Sequence, residues 1–249
     1  MVYLSGILPI FTTSKDPNSL SIPKDSFIDF SHYFKSNGFV AGFTTRSFPF
    51  SNPEDRIRLS EELSLDPSNL LIPTQVHGNR VYNCSEENDV DCADALVSND
   101  KKIVLSIQVA DCIPLYLLDN NKNICALVHS GWRGTAKKIV TNTIWEMERI
   151  GSHVHDITAL IGPSIQQCCF EIGPEVAVKF PTRYLTKGKN DRSFLDLSGV
   201  IQSELEQLGL KKNQINLQSK CTCCHPELFH SYRRNGKLAG RMIALCGWV

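Results

Sequence analysis

Two histidines and one cysteine stand at the ends of apolar, strand-like runs of this chain. They are His77 in Thr-Gln-Val-His-Gly, Cys112 in Val-Ala-Asp-Cys-Ile-Pro and His129 in Ala-Leu-Val-His-Ser-Gly-Trp-Arg-Gly. Two imidazoles and one thiolate suit a zinc ion with one coordination position left open, which is the arrangement of a catalytic site. Because 35 and 17 residues separate the three, the fold must bring them together, and the spacing alone makes them candidates.

An acidic neighbour adds to this candidate site. Asp111 precedes Cys112 inside a run, 103–118, that is otherwise largely hydrophobic. Burying a carboxylate is costly unless it is hydrogen-bonded, so we expect Asp111 to orient a ligand or a substrate N–H. The alternatives are a buried inert thiol for Cys112 and a turn histidine bonded to a carbonyl for His77.

The segment after His129 has the composition of an anion site. Gly131 and Gly134 permit a tight turn from a strand into a helix, and Arg133 lies between them. Free N–H groups at a helix start beside a guanidinium would accept phosphate. The alternative is a simple strand-to-helix turn with a surface arginine.

Further candidates for substrate contact come from three other segments. Gln75 lies two residues before His77, Arg46 follows a strand at 39–43, and Tyr232 and Arg233 precede Arg234. Adjacent arginines on a strand point to opposite faces, so only one of that pair would reach a common pocket.

A second group of cysteines has less regular spacing. Cys221, Cys223 and Cys224 crowd into four positions before His225, and Cys168 and Cys169 are adjacent. Ligands at i, i+2 and i+3 leave little loop to surround a tetrahedral ion, so this is a weak structural zinc motif to which Cys168 and Cys169 could supply a second arm.

Composition places the chain among ordinary packed proteins. Its 249 residues are 42% hydrophobic and 21% charged, with 26 basic and 26 acidic residues. This balance gives no reason to expect nucleic acid or a membrane as partner. The start lacks the pattern of a signal peptide and no stretch is long enough to cross a bilayer, so we expect a cytoplasmic protein whose ten cysteines are reduced. The oligomeric state stays open.

The elements that must position these residues alternate between strands and helices. Helices are predicted at 55–65, 134–150 and 197–208, with Asp196 and Gly209 as caps of the last. A hairpin turn is predicted at 119–123. These patterns predict an α/β fold in one compact domain, 1–249, with a mixed β-sheet flanked by α-helices. The predicted strands are 39–44, 69–76, 93–97, 103–109, 113–118, 124–129, 157–161, 214–217 and 238–246.

Six ordered motifs resemble one known family, the laccase-domain or multicopper polyphenol oxidase family, now regarded as purine nucleoside phosphorylases with deaminase activity. Some bacterial members are called peptidoglycan editing factor. The motifs are Thr-Gln-Val-His-Gly at 74–78, Ala-Asp-Cys-Ile-Pro at 110–114, His-Ser-Gly-Trp-Arg-Gly at 129–134, Ile-Gly-Pro-Ser-Ile at 161–165, Cys-Cys-Phe-Glu-Ile-Gly at 168–173, and Ser-Tyr-Arg-Arg with Gly-Arg within 231–241. The chain departs from the family at 47–50, where a Gly-Gly turn is usual, and at Cys223, where an aromatic residue is common.

The resemblance implies a single α/β domain with zinc held by the residues matching His77, Cys112 and His129. It also implies a pocket for purine nucleosides, with adenosine, inosine, guanosine and methylthioadenosine as substrates, and phosphate as co-substrate. Zinc lowers the pKa of a water molecule toward neutrality, which would serve deamination at purine C6. Arg133, with Arg46 or Arg233, would hold phosphate for phosphorolysis, and Asp111 could polarise the base.

Three other functions remain open from the sequence. A metal-free amidohydrolase acting on peptidoglycan precursors would use Cys112 as nucleophile and His129 as base, but it leaves His77 unexplained. Copper is the alternative metal to zinc, but one site with two histidines and one cysteine cannot supply the several coppers of a true laccase. A non-catalytic regulatory protein would hold its zinc with four full ligands.

Overall fold

The computed structural model describes residue 23 and residues 25–48, 54–84 and 90–249. Within these ranges the chain forms fourteen strands and six α-helices. The strands are β1 (Phe27–Asp29), β2 (Phe39–Thr44), β3 (Leu70–Leu71), β4 (Val81–Asn83), β5 (Ala95–Ser98), β6 (Val104–Val109), β7 (Ile113–Asp119), β8 (Ile124–Ser130), β9 (Ile157–Ile161), β10 (Glu171–Ile172), β11 (Leu185–Lys187), β12 (Ser193–Leu195), β13 (Ile215–Leu217) and β14 (Met242–Trp248). The α-helices are α1 (Glu54–Glu62), α2 (Trp132–Ala136), α3 (Ile139–Arg149), α4 (Pro174–Ala177), α5 (Leu197–Leu208) and α6 (Tyr232–Asn235).

The strands form three sheets rather than one. A five-stranded mixed sheet has the order β1-β2-β14-β6-β3, and a six-stranded mixed sheet has the order β13-β9-β7-β8-β5-β4. The third sheet, β10-β12-β11, is small and antiparallel. The predicted α/β class with mixed strands flanked by helices is confirmed. In place of the single sheet expected from the sequence, the structure has two large sheets, and the central strand β7 is buried along its whole length.

Strand β7 shows how the two large sheets are layered. Leu115 and Leu117 belong to the apolar cluster that includes α3 and α5, whereas Tyr116 and Leu118 belong to the cluster shared with the five-stranded sheet. Successive side chains of a strand point to opposite faces, so β7 is buried on both. The hydroxyl of Tyr116 donates to the carbonyl of Gly42 at 2.8 Å and ties the sheets together.

The helices close the outer faces of the two large sheets. On the six-stranded sheet, α3 buries Ile139, Ile144 and Met147. On the five-stranded sheet, Leu59 of α1 packs against Ile243 of β14. In the part of the chain that the structure describes, no helix is both long and apolar enough to cross a bilayer.

The helix predicted at 134–150 is broken into two, which corrects that expectation. Lys138 adopts a left-handed conformation with φ 65° between α2 and α3. The backbone N–H of Lys138 donates to the carbonyl of Thr135 at 3.0 Å and closes α2 early. The spacing of apolar residues indicates which face of a helix packs on the sheet. This spacing continues across the break, so it does not reveal where α2 ends and α3 begins. The change of direction lets α2 turn toward the ends of β7 and β8 while α3 lies on the sheet.

Other predicted elements differ mainly at their ends. The predicted strands 39–44 and 157–161 and the helix 197–208 have the observed bounds, and Asp196 caps α5 by accepting from the N–H of Gly199 at 2.8 Å. The run 69–76 forms a strand over Leu70–Leu71 and an isolated bridge between Thr74 and Cys92, and the final strand begins at Met242 rather than 238. Leu238 is 94% exposed, since it lies in a surface turn.

A buried carboxylate joins the two helices on the six-stranded sheet, and we predict that it stabilises the fold. Glu204 of α5 accepts from both the backbone N–H and the hydroxyl of Thr141, in the first turn of α3. The N–H groups of a first turn have no partner inside the helix. Glu204→Ala should lower the free energy of unfolding by about 1–3 kcal/mol, measured by urea denaturation, because it removes the acceptor of two donors on the half-buried Thr141.

Gln207→Ala is the matched control, because Gln207 is exposed on the same helix and donates to the hydroxyl of Ser203 at 3.4 Å. It should change stability by less than about 0.5 kcal/mol. Equal losses in the two variants would contradict the proposed tie between α3 and α5.

Candidate metal centre and its cavity

Strand pairing brings Cys112 and His129 together. In the antiparallel pair β7 and β8, Pro114 lies opposite His129 and Ile113 opposite Ser130. Cys112 is the residue just before β7, so the hairpin predicted at 119–123 places it beside His129 despite their separation in sequence. The six-stranded sheet thus presents the first two ligands at one end.

His77 arrives from a loop that wraps around a buried carboxylate. Asp94 is fully buried, and its oxygens accept the backbone N–H groups of Val76 at 3.2 Å, His77 at 2.9 Å and Gly78 at 2.6 Å. His77 itself has φ 58°, in the left-handed region. Such a conformation costs of order 1–3 kcal/mol in a residue other than glycine. The bonds to Asp94 offset that cost and fix the imidazole in place.

The same carboxylate orients the second histidine. Nδ1 of His129 lies 2.7 Å from Oδ1 of Asp94, and the backbone N–H of His129 donates to the carbonyl of Asp94 at 2.7 Å. Nδ1 is therefore occupied and Nε2 is left for a metal. A carboxylate that holds the remote nitrogen of a ligating histidine is a usual feature of zinc sites.

The ionisation of Cys112 favours ligation, whereas His129 must lose its proton to bind a metal. Burial raises the pKa of Cys112, but hydrogen bonds and charge from His129 and His77 outweigh it and lower the pKa to about 6. Burial lowers the pKa of His129, but the bonds to Asp94 and Cys112 raise it to about 9. Cys112 is therefore a thiolate at neutral pH, which is the form that binds metals.

The donor set fits a metal ion. The ligand atoms of His77, Cys112 and His129 all lie within 4.8 Å of one another, and the two imidazole rings are 4.8 Å apart at 81°. Exposure rises across the set, because His129 is buried, Cys112 is half-buried and His77 is exposed. One side of the cluster is thus open to solvent, as a catalytic metal site requires.

Two glycines allow the backbone to approach this cluster. A Cβ on Gly131 would lie 2.9 Å from Sγ of Cys112, and a Cβ on Gly134 would lie 2.8 Å from the carbonyl of Gly78. Neither position has room for a side chain. The Gly-x-x-Gly spacing noted in the sequence therefore serves close packing of α2 against the metal ligands.

The open side of the cluster faces a cavity of about 660 Å³, a volume within the usual range for small-molecule sites. Its walls combine aromatic residues with arginines. The aromatic residues are Trp132, Phe170 and Tyr232, and the arginines are Arg133, Arg233 and Arg241. Arg133 lies over the ring of Trp132 at 4.3 Å, and Arg233 lies over Phe170 at 5.5 Å.

Asp111 lines this cavity, but three donors already occupy its carboxylate. Oδ1 accepts the hydroxyl of Thr222 at 2.6 Å, and Oδ2 accepts the hydroxyl of Ser231 at 3.0 Å and the backbone N–H of Arg233 at 2.6 Å. Its backbone has φ 84°. The contacts assign Asp111 to holding the segment that carries Arg233, because the carboxylate is engaged before any substrate arrives.

The structure brings most of the sequence-predicted residues to one cavity and separates one. Gln75, Arg133, Tyr232 and Arg233 line the cavity together with the three metal ligands. Gln75 is fixed by two bonds to the backbone of Gln108, at 2.9 and 2.8 Å. Arg46 is exposed and donates to the carbonyl of Pro226 at 3.0 Å, outside the residues that line the cavity.

Sequence reasoning missed Asp94, Phe170 and Arg241. Asp94 had a usable signal, since it is an acid within the apolar run Ala93 to Val97, in the same way that Asp111 interrupts the next run. Phe170 and Arg241 had none, because an aromatic or a basic residue in a loop does not indicate which cavity it faces.

Comparison with known proteins places this arrangement in a family. A family model described as multi-copper polyphenol oxidoreductase laccase matches residues 41–248. A purine nucleoside phosphorylase of Staphylococcus aureus (strain MRSA252) is 30% identical over 216 residues, covering 80% of each chain. Adenosine deaminase RL5, from an unknown prokaryotic organism, is 32% identical over 203 residues, covering 75% of this chain and 78% of its own length.

A solved structure agrees with the sequence matches. The crystal structure of the Bacillus licheniformis hypothetical protein YfiH superposes with a TM-score of 0.79 at 26% identity, covering 85% of this chain and 93% of that one. The family model includes all three candidate metal ligands and the cavity residues from Gln75 to Arg241. The chain therefore belongs to the multi-copper polyphenol oxidoreductase laccase family.

Proposed function

We propose that this chain is a zinc-dependent purine nucleoside enzyme. It would convert adenosine, inosine, guanosine and methylthioadenosine with phosphate to the free base and ribose 1-phosphate, and it would also deaminate adenosine. The observation that carries the proposal is that a cluster of two histidines and a cysteine opens into the same cavity as three arginines. The names of the relatives, purine nucleoside phosphorylase and adenosine deaminase, support the same substrate class.

Zinc suits the donors better than copper does. His77, Cys112 and His129 offer two imidazoles and one thiolate, a set that zinc takes in catalytic sites. Copper would bind the same atoms, but phenol oxidation by a laccase needs several coppers and this cluster offers ligands for one ion. Zinc bound there would act as a Lewis acid and make water more acidic.

The aromatic walls suit a purine base. Trp132, Phe170 and Tyr232 offer flat apolar surfaces, and planar bases stack on such rings for about 1–3 kcal/mol each. Tyr232 is 50% exposed, so its ring is available at the mouth of the cavity. We propose that the base lies against these rings with its reactive edge toward the metal ligands.

The arginines suit phosphate. Arg133 and Arg233 are exposed and Arg241 is half-buried, all on the cavity wall. Guanidinium groups bind phosphate through charge-assisted, paired hydrogen bonds. In phosphorolysis a phosphate oxygen forms a bond to ribose C1′ while the bond from C1′ to the base nitrogen breaks, and the base leaves with the electron pair and takes up a proton. The arginines would hold the phosphate in line for that attack.

Asp111 would act as a positioning residue for this step. Its carboxylate holds the backbone N–H of Arg233 and the hydroxyls of Thr222 and Ser231. Arg233 is thereby kept on the cavity wall. In adenosine deamination, where water adds to C6 and ammonia leaves, the same wall would confine the nucleoside.

One observation favours a second candidate function, a metal-free Cys-His amidohydrolase. Cys112, whose pKa is lowered to about 6, lies beside His129. In such an enzyme Cys112 would be the nucleophile and His129 the base. This candidate still gives His77 no role.

The ten free cysteines suit a reducing compartment, and we propose a cytoplasmic location for either activity.

The first prediction tests the proposed activity directly. Protein of known metal content, incubated with adenosine, should release adenine and ribose 1-phosphate only when phosphate is present, and inosine with or without it. Chromatography of the products would follow both reactions. Removal of the metal by a chelator should abolish both and added zinc should restore them.

Two variants separate the enzyme candidates. Cys112→Ala should lose the metal of the His77, Cys112 and His129 cluster and both nucleoside activities, whereas Cys84→Ser, at a half-buried cysteine outside this cluster, should keep them. Activity on amides that survives chelation and disappears in Cys112→Ala would instead establish the hydrolase. Metal-loaded protein that forms no product from any of the four nucleosides would overturn the purine proposal.

A second prediction concerns Asp94. Asp94→Asn keeps the size of the side chain but weakens its hold on His129, so zinc affinity should fall about 10–100-fold. Competition with a chromogenic chelator would measure this, and excess zinc should restore activity. The control is Asp119→Asn, because Asp119 is also fully buried and accepts the backbone N–H groups of Asn121 and Lys122 away from the metal. Unchanged zinc affinity in Asp94→Asn would contradict its orienting role.

A third prediction separates phosphate binding from base binding. Arg133→Ala should raise the KM for phosphate about 10–100-fold, as expected for loss of a charge-assisted hydrogen bond of about 1.5–3 kcal/mol. Deamination, which uses no phosphate, should change less. Arg183→Ala is the control, because Arg183 is exposed and lies over Tyr184 outside the cavity. A fall in deamination equal to that in phosphorolysis would assign Arg133 to the nucleoside instead.

A further inference from the structure

A second cluster of soft ligands lies apart from the His77, Cys112 and His129 centre. Cys168 and Cys169 lie in the loop between β9 and β10, and Cys221 and Cys224 lie in the turn after β13. The four Sγ atoms all lie within 4.8 Å of one another. The parallel bridge between Ser164 and Cys221 joins the two segments, so the convergence of the four thiols is set by the backbone.

The separations of the sulfurs match those around a tetrahedral metal. Sγ of Cys168 lies 3.8 Å from that of Cys169 and 3.6 Å from that of Cys224, and the sulfurs of Cys169 and Cys224 are 3.3 Å apart. Zinc–sulfur bonds of about 2.3 Å in a tetrahedral site place the sulfurs about 3.8 Å apart. The thiols therefore need only small side-chain adjustments to surround one ion.

The structure also corrects the ligand spacing considered from the sequence. The set Cys221, Cys223 and Cys224 gave too little loop for zinc. The cluster instead uses Cys221 and Cys224, which leave two residues between them, the spacing of many zinc sites. Cys223 packs against the apolar core, and the other two ligands come from the adjacent pair at 168 and 169.

Backbone donors surround the most buried sulfur. The N–H of Gln166 donates to Sγ of Cys221 at 3.4 Å, and the N–H groups of Cys223 and Cys224 also donate to it. Cys221 is 4% exposed. These three backbone donors hold the sulfur of Cys221 in place within the cluster.

Two arginines offset the negative charge that four thiolates would carry. Arg233 donates to the carbonyl of Cys169 at 3.0 Å. Arg234 donates to the carbonyls of Thr222 and Cys223, each at 2.9 Å. A zinc ion with four thiolates keeps two net negative charges, and guanidinium groups bonded to the backbone of the cysteine-bearing segments would offset them. The same bonds fasten the segment 231–234 to both cysteine-bearing segments.

We propose that Cys168, Cys169, Cys221 and Cys224 bind a second metal ion, a structural zinc, at a site independent of the proposed nucleoside activity. Four thiolate ligands leave no position for water, as in structural zinc sites. The ion would tie the 162–170 loop to the 221–224 turn. Phe170 follows Cys169 in the chain, and Arg233 donates to the carbonyl of Cys169. Because Phe170 and Arg233 both line the cavity, this ion would hold one of its walls.

The test counts zinc ions in protein purified with a reductant. Mass spectrometry of metal content should find two zinc ions per wild-type chain. Cys112→Ser should keep one, and a Cys168→Ser/Cys224→Ser variant should also keep one, at the other centre. The matched control, Cys84→Ser/Cys92→Ser, removes two half-buried cysteines outside both clusters and should keep two.

Cobalt identifies the ligands. Cobalt bound to Cys112→Ser should give the intense thiolate charge-transfer and visible bands of a tetrahedral four-sulfur site, and these should vanish when Cys168 and Cys224 are also replaced by serine. Cys224→His should retain the second ion, because imidazole also binds zinc, which separates loss of a ligand from loss of folding.

Two results would overturn the proposal. One is a wild-type chain that holds no more zinc than the Cys168→Ser/Cys224→Ser variant. The other is peptide mapping that finds these cysteines joined in a disulfide in the reduced preparation. Neither result depends on nucleoside turnover, so failure of this proposal and failure of the proposed function are distinguishable.

Discussion

The carboxylate of Asp94 is the interaction on which the candidate active site depends. It accepts the N–H groups of Val76, His77 and Gly78 and the ring nitrogen of His129. A fully buried carboxylate is tolerated only when such donors replace its water. Without it, the 76–78 loop would have no reason to keep His77 in a left-handed conformation, and His129 could present either nitrogen. One buried charge thus fixes two of three metal ligands.

Asp94 can do this because the sheet beneath it is rigid. It lies just before β5, whose residue Ala95 pairs with Val128 of β8, so Asp94 stands beside His129 by register. The β7–β8 hairpin is buried on both faces between the five-stranded sheet and α3. Because protein cores are densely packed, they deform little under the forces exerted by a single side chain. The candidate ligands Cys112 and His129 therefore lie at a strand end whose position is set by the whole fold.

The sequence predicts the parts of this arrangement that depend on local patterns. The candidate metal ligands stand out in the sequence because each ends or interrupts an apolar run, and α5 is predicted correctly because Asp196 and Gly209 are local caps. The division into two sheets was missed because strands buried on both faces show no alternation in sequence. The break at Lys138 was missed because the apolar face continues through it. Donors that arrive from distant segments, such as those on Asp111, have no local signature at all.

The two sulfur-containing clusters differ in the way that structural and catalytic metal sites differ. The His77, Cys112 and His129 cluster offers three donors and opens into the cavity, whereas the four cysteines surround one point with sulfur. The two clusters are nevertheless connected through Arg233, which lies on the cavity wall. Its backbone N–H donates to Asp111, and its guanidinium donates to the carbonyl of Cys169. Any movement of the cysteine-bearing loop would therefore displace Arg233 and Phe170 together. The position of this cavity wall, which lies opposite the His77, Cys112 and His129 cluster, therefore depends on the four-cysteine cluster.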